Sequence, residues 1–257
     1  MFNVSRVRYV QFSIILLFLV TGSCKTSSQS RGDNAGFVKI FDGESLKGWD
    51  GDPVYWKVEN GSLVGEVTPT TLLKTNTFII WRGGQPSDFE LVTEFRITSK
   101  GNSGINYRSE QLKDIPFALR GYQADIDGAN RYTGQNYEER KRTTLAYRGQ
   151  KVTVRPHAND TASLQANIKS NAWQGTTLSA SLGTSDSLMK LIKNEDWNQC
   201  RIVAKGNRLQ HFINGVLMSD VTDDDTVNRR PGGLLGVQVH VGPPMKVEYR
   251  NMMLKKL

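Results

Sequence analysis

Acidic, amide and imidazole side chains recur on one side of several extended segments. Gln123, Asp125 and Asp127 alternate with Ala124 and Ile126, so a strand would place the three polar residues on one face. Three further segments present polar pairs in the same way: Glu94 with Arg96, Asn106 with Arg108, and Gln238 with His240. Carboxylates and imidazole transfer protons, and amides and guanidinium groups bind oxygens. These residue types therefore predict a site for a hydroxyl-rich ligand; the alternative is a set of ordinary exposed strand faces.

A charged stretch follows the Asp125 segment. Glu138, Glu139 and Arg140 lie in a region that also contains Tyr132 and Tyr137. A lid or wall of the site is one interpretation, and a solvated surface stretch is the other. The run Asp223-Asp224-Asp225 lacks the glycine and glutamate of a calcium loop, which favours a solvated turn.

Composition excludes several kinds of site. Two cysteines in 257 residues are too few for a disulfide scaffold or a four-cysteine zinc site. The net charge of +8 is spread along the chain, so we expect no nucleic-acid partner. Asp125, Glu138 and His240 are suitable ligands for a divalent metal, but no spacing demands one, and no cofactor is assigned. The sequence has no phosphate loop, nucleophile elbow or HExxH motif.

The segments that carry these residues are predicted to form short strands. Residues 54–59 alternate in polarity, and Asn60-Gly61 then supplies the pair favoured in two-residue hairpins. Further strands are predicted over 89–97, 197–205, 208–213, 236–241 and 245–254, with a short helix over 185–193. Many short strands with Gly and Asn turns predict an all-β fold, an antiparallel β-sandwich or jelly roll. Cys200 is expected to be a packed strand residue.

The N-terminal segment is predicted not to belong to the fold. Arg6 and Arg8 precede an apolar run, and small residues then lead to Cys24. This is the pattern of a signal peptide over residues 1–23, and it resembles a bacterial lipobox in which Cys24 is lipidated. Residues 24–36 then form a polar tether and residues 37–257 a single domain. We expect a secreted protein of the bacterial cell envelope, in the periplasm or at the outer membrane, that meets the membrane only through this lipid. Plain secretion is the alternative.

Longer motifs resemble those of the 3-keto-disaccharide hydrolase family. They are Phe41-Asp42-Gly43, Trp56-Lys57-Val58-Glu59-Asn60-Gly61, Gly101-Asn102-Ser103-Gly104-Ile105, Gly121-Tyr122-Gln123-Ala124-Asp125, Asp196-Trp197-Asn198 and Val239-His240-Val241-Gly242-Pro243-Pro244. The resemblance covers residues 37–257 in order. It implies a concanavalin A-like sandwich, and an enzyme that cleaves glycosides whose C3 hydroxyl is already a ketone.

The resemblance also implies what the site must supply. A C3 ketone acidifies the C2 hydrogen, so a base can remove it and the C1 substituent can leave, with water added afterwards. We expect Asp125 or His240 as the base and Glu138 or Glu139 as the second proton-transfer group. The expected substrate-binding residues are Glu94, Asn102, Arg108, Gln123, Arg140 and Gln238.

Two other functions remain open from the sequence. A carbohydrate-binding β-sandwich would hold a glycan without cleaving it, and five Trp and eight Tyr permit that. A structural lipoprotein of a larger envelope complex is the other.

Overall fold

The computed structural model describes residues 1–2, 36–156, 166, 169 and 175–257. Residues 3–23 of the predicted signal peptide, Cys24 and all but Gly36 of the predicted tether lie outside the described residues. Residues 36–257 form one compact unit.

Strands make up most of this unit. In chain order they are β1 (Val38–Lys39), β2 (Trp49–Asp50), β3 (Trp56–Glu59), β4 (Ser62–Val67), β5 (Thr77–Trp81), β6 (Phe89–Ile97), β7 (Asn102–Gln111), β8 (Leu119–Asp127), β9 (Asn136–Glu139), β10 (Thr143–Ala146), β11 (Gln150–Val154), β12 (Thr176–Ser181), β13 (Asn198–Lys205), β14 (Arg208–Ile213), β15 (Val216–Asp223), β16 (Leu234–Val239) and β17 (Met245–Lys256). The helix α1 (Ser185–Met189) lies between β12 and β13, and the Thr184 side chain caps its N-terminus.

The strands form two sheets. The ten-stranded sheet has the order β12-β11-β15-β14-β13-β6-β17-β4-β3, with β1 added beside β17. The seven-stranded sheet has the order β10-β9-β8-β7-β16-β5-β2. Pairing is antiparallel throughout the described sheets except between β11 and β15. The predicted all-β sandwich is confirmed.

The core lies between the two sheets. On β6, alternate residues from Phe89 to Ile97 are buried while Glu90, Glu94 and Arg96 are half-buried on the other face. Tyr122, Ala124 and Ile126 of β8 belong to the same apolar core. Period two then directs Gln123 and Asp125 to the face of the seven-stranded sheet that points away from the core.

Local predictions are confirmed where turns are encoded in the sequence. Asn60 and Gly61 both have positive φ, 51° and 75°, and join β3 to β4 as a hairpin. Cys200 is a buried, free cysteine of β13. Among the described residues, no helix has the length and apolar character needed to cross a membrane.

A buried ionic cluster joins the two sheets. Arg142, fully buried, forms ion pairs with Glu138 of β9 (2.5 Å), Asp223 of β15 (2.6 Å) and Asp225 (3.3 Å). The Tyr122 hydroxyl donates a hydrogen bond to Asp223 (2.5 Å). The prediction of a solvated turn at residues 223–225 is therefore wrong for Asp223 and Asp225, because both carboxylates pair with a buried guanidinium group.

Candidate active site

A cavity of about 300 Å³ opens on the polar face of the seven-stranded sheet. Neighbouring strands β7, β8 and β9 contribute side chains to it, and the ends of β5 and β16 supply two more. It is lined by Asn76, Asn102, Gln123, Asp125, Tyr132, Gln135, Tyr137, Glu139 and His240. The register pairs Gln123 with Tyr137, so the polar side chains of β8 and β9 project from the same face.

Asp125 lies at the centre of this set and is 7% exposed. The Gln123 amide donates to its Oδ1 (2.6 Å), and the Gln135 amide donates to its Oδ2 (2.5 Å). The pKa of Asp125 is raised to about 7 in total: burial is the largest cause, the hydrogen bonds from the two amides oppose the rise, and the charges of Glu139 and Asp127 add to it. A carboxyl group that titrates near neutral pH can accept and return a proton there.

Glu139 is a second buried carboxyl group in the cavity. Its oxygens accept long hydrogen bonds from Gln238 and Asn76, both 3.3 Å, and the Arg140 guanidinium lies 3.6 Å away. Burial raises the pKa of Glu139, and Arg140 and His240 partly offset that rise. Two carboxyl groups in one low-dielectric cavity titrate as a coupled pair.

Tyr137 and His240 also line the cavity and carry groups that can donate a hydrogen bond or a proton. Burial raises the pKa of the Tyr137 phenol well above its ordinary value, so the hydroxyl keeps its proton at neutral pH and can act as a donor. His240 follows directly after β16 and is half-buried. Its Nδ1 donates to the Val241 carbonyl (2.5 Å), which fixes the ring and leaves Nε2 for a ligand.

The loop of residues 128–135 forms one wall of the cavity. Asp127 fixes it by accepting the backbone N–H groups of Arg131, Tyr132 and Thr133 at 2.8–3.0 Å. Its carboxylate is therefore committed to loop structure. Tyr132 and Gln135 reach the cavity from this loop.

Gln123 has one unsatisfied atom. Its amide nitrogen is bonded to Asp125, whereas its buried Oε1 has no hydrogen-bond partner in the described structure. Gly104 lies opposite Asp125 in β7, and a Cβ there would approach the Gln123 side chain to 2.5 Å. The glycine makes room for Gln123 beside Asp125, and the free acceptor suits a ligand hydroxyl.

A second cavity of about 370 Å³ adjoins the first, and we call it the outer compartment. The two share Asn102, Tyr132 and His240. Lys100, Arg131, Val241 and Pro243 also line the outer compartment.

Residues 36–255 match the family described as the 3-keto-alpha-glucoside-1,2-lyase-like domain. The chain belongs to this family. Membership gives it a carbohydrate-acting role, in agreement with the resemblance found in the sequence motifs.

Solved structures share the fold of this family member. A candidate glycosyl hydrolase from Parabacteroides distasonis is 17% identical, with a TM-score of 0.54 over 86% of this chain and 99% of its own. A protein of unknown function with a galectin-like fold from Bacillus subtilis is 11% identical, with a TM-score of 0.51 over 86% and 94%. At this identity they show the fold alone. No curated protein matches the chain significantly.

Five of the ten site residues expected from the sequence line this cavity. They are Asp125, Glu139, His240, Asn102 and Gln123. Two further expected binding residues, Gln238 and Arg140, do not line the cavity but contact Glu139, which does.

Arg108 is not part of this site. A register shift between Tyr107 and Glu110 interrupts the strand pairing, and Arg108 has a φ of 46°. Its guanidinium group binds the Ser87 and Gly206 carbonyls and Asp88. The bulge redirects the side chain, so the period-two argument fails here.

Glu138 and Glu94 are also corrected. Glu138 precedes Glu139 in β9 and therefore faces the core, where it pairs with Arg142. Glu94 lies on the exposed face of the other sheet and pairs with Arg250 at 2.5 Å. Since Glu138 faces away, it does not join Asp125 and His240 as a possible metal ligand, and the described residues contain no group of three or more His, Cys, Asp or Glu placed to hold a metal ion.

Sequence reasoning missed Asn76 and Gln135. Gln135 precedes the first residue of β9, and Asn76 the first residue of β5, so neither has an alternating strand pattern to mark it. For Gln135, the one signal in the sequence was its position between Tyr132 and Tyr137, in the stretch for which a wall of the site was one of two interpretations.

Proposed function

We propose that this protein cleaves 3-keto-glycosides by removing the C2 proton and expelling the C1 substituent. Family membership supports the substrate class. The observation that carries the proposal is Asp125, a buried carboxyl group with a pKa of about 7 that lines a polar cavity beside an unsatisfied amide oxygen.

The reaction needs no change in oxidation state overall. The base takes the C2 proton, and the C2–H electron pair forms an enolate with the C3 carbonyl. The enolate collapses as the bond from C1 to the glycosidic oxygen breaks, and that oxygen receives a proton as it leaves. Addition of water across the C1–C2 double bond then gives the hydrolysis products.

Three residues supply these steps in the proposal. Asp125 is the base, because its pKa lies near the operating pH. Tyr137 donates a hydrogen bond to the C3 oxygen as negative charge develops there. His240 protonates the leaving oxygen, because it lies where the cavity joins the outer compartment.

Glu139 acts on Asp125 in this scheme. Its charge raises the pKa of Asp125 and so keeps that base matched to neutral pH. Gln123 Oε1 accepts a substrate hydroxyl, which orients the sugar ring over Asp125.

The test is a cleavage assay with a 3-keto-glucoside and its unoxidised parent, following release of the alcohol. We expect release from the keto substrate alone, with kcat falling about 100-fold or more in Asp125→Asn. Glu94→Gln, on the other sheet, is the matched control and retains activity. Binding of both glycosides without cleavage of either would instead indicate a carbohydrate-binding protein.

We also propose that the protein is lipid-anchored in the bacterial envelope through Cys24. Lipidation at a cysteine of this type requires its thiol. Full-length protein is expected in the membrane fraction, and Cys24→Ala in the soluble fraction with unchanged cleavage activity. Equal partition of the two proteins contradicts the anchor.

A further inference from the structure

The walls of the outer compartment are held rigidly. The Gly128 N–H donates to the Gly101 carbonyl at 2.9 Å, and a Cβ on Gly128 would lie 1.9 Å from the Thr98 carbonyl oxygen. Asp127 fixes the adjoining loop through three backbone N–H groups. Lys100 and Arg131 therefore project from backbone whose position is set before any ligand binds.

The outer compartment has a net positive charge, because two cationic side chains and one carboxylate line it. Neither Lys100 nor Arg131 forms an ion pair with any of the described residues, and both are exposed. The carboxylate lining the compartment belongs to Asp127, whose oxygens accept hydrogen bonds from loop N–H groups and from Thr133. Glu195 reaches the Ser99 N–H (3.0 Å) but does not line the compartment.

The inner cavity has the opposite character. Asp125 and Glu139 are both buried there, and an anionic group beside them would meet like charge in a low-dielectric space. Gln123 Oε1 needs a donor, which a neutral hydroxylated ring supplies. An anionic group on the same ligand is therefore favoured only in the outer compartment.

We propose that the outer compartment binds the leaving group and that Lys100 and Arg131 select leaving groups bearing an anionic substituent, such as a carboxylate, sulfate or phosphate. The inference rests on the proposed function for its assignment of the leaving group. The sugar ring occupies the inner cavity, the glycosidic oxygen lies at His240, and the aglycone or second sugar extends past Tyr132.

The test uses two α-glucosides that differ in one charge, those of 4-hydroxybenzoate and 4-hydroxybenzamide. Calorimetry measures their binding to the wild-type protein in the unoxidised form, and the cleavage assay measures kcat/KM for the 3-keto forms. We expect the benzoate to bind about fivefold more tightly and the preference to shrink at high salt, as for exposed ion pairs.

Variants identify the residues responsible. Lys100→Gln/Arg131→Gln is expected to abolish the preference by weakening the benzoate alone. The control Lys113→Gln removes an exposed charge that lines neither cavity and is expected to keep the preference.

The outcomes separate the two proposals. A binding preference without cleavage of either keto-glucoside supports the anion-selective compartment and overturns the proposed reaction. Cleavage of both keto-glucosides with equal efficiency, together with equal affinity or no measurable binding, overturns the compartment and leaves the reaction standing. A preference that persists in the double variant also overturns the assignment.

Discussion

The pKa of Asp125 depends on neighbouring groups that shift it in opposite directions. Burial and the charges of Glu139 and Asp127 raise its pKa, while hydrogen bonds from Gln123 and Gln135 lower it. Each neighbour can be removed without changing Asp125 itself, so the sign of each effect is open to measurement.

Glu139→Gln should move the acidic limb of the kcat/KM profile for 3-keto-glucoside cleavage to lower pH, by about one pH unit. Removing the charge of Glu139 stabilises the ionised form of Asp125, so the base becomes active at lower pH. A full profile from acid to neutral pH measures the shift.

Gln135→Leu should move the same limb in the opposite direction, to higher pH. The carboxylate loses a hydrogen bond at Oδ2 and is ionised less readily. If both variants shift the limb in the same direction, Asp125 is not the group that titrates.

Asp125→Asn should be more favourable for stability, relative to the wild-type protein, at pH 8 than at pH 4. The pKa of about 7 in the folded state exceeds the ordinary value of 3.8. The contribution of Asp125 to the unfolding free energy is therefore greatest below pH 4 and is lost as the pH rises towards 7. Asparagine has no charge to bury, so its advantage should grow between the two pH values by on the order of 2 to 4 kcal/mol. Urea unfolding of both proteins at both pH values measures this, and an equal difference at the two values contradicts the shifted pKa.

The two-residue period of a strand predicts which side chains share a face, but not whether that face points into the core or away from it. The alternation placed Gln123 and Asp125 together, and the structure agrees. Glu138 and Glu139 were indistinguishable in sequence because adjacent strand residues differ only in phase, which the pairing of β9 with β8 sets. The direction of the Arg108 side chain could not be predicted from the sequence, because a β-bulge interrupts the alternation of side chains between the two faces of β7 at this point.

The close contact between the turn before β7 and the loop after β8 gives a further prediction. Gly128→Ala must separate the two, because its Cβ would meet the Thr98 carbonyl oxygen at 1.9 Å. We expect a loss of about 1 to 3 kcal/mol in unfolding free energy and about tenfold or more in kcat/KM.

The control for this substitution is Gly242→Ala in a neighbouring loop, where an added Cβ has no atom within 4 Å. It should change neither quantity. Unaltered activity in Gly128→Ala would show that the loop does not position Tyr132 and Gln135.

The turn residues and the many short strands predicted a β-sandwich, whereas the order of the strands within its two sheets could not be predicted from the sequence. Strand β6 lies between β13 and β17, which are more than a hundred residues later in the chain. Such pairing depends on how two complete sheets close over a shared core, and no local pattern encodes it.

The Arg142 cluster is one place where the two sheets are joined by charge. Arg142→Met should lower the unfolding free energy by about 3 to 5 kcal/mol, because Glu138, Asp223 and Asp225 are left buried without their partner. Arg82→Met, which breaks the exposed pair with Asp50, should lower it by less than about 1 kcal/mol. Urea unfolding compares the two, and equal losses would mean that the buried cluster is not specially costly to break.

Strand β1 lies against the last strand of the sandwich, with Val38 opposite Leu254 and Gly36 close to the Lys255 side chain. The two extremities of residues 36–257 are therefore spatial neighbours. A short Gly-Ser linker could join them, and new termini could be opened after Gly215, the exposed residue of the turn between β14 and β15, without cutting a strand. The domain is thus suited to circular permutation, a rearrangement that would let a reporter be inserted far along the sequence while the cavity around Asp125 stays assembled.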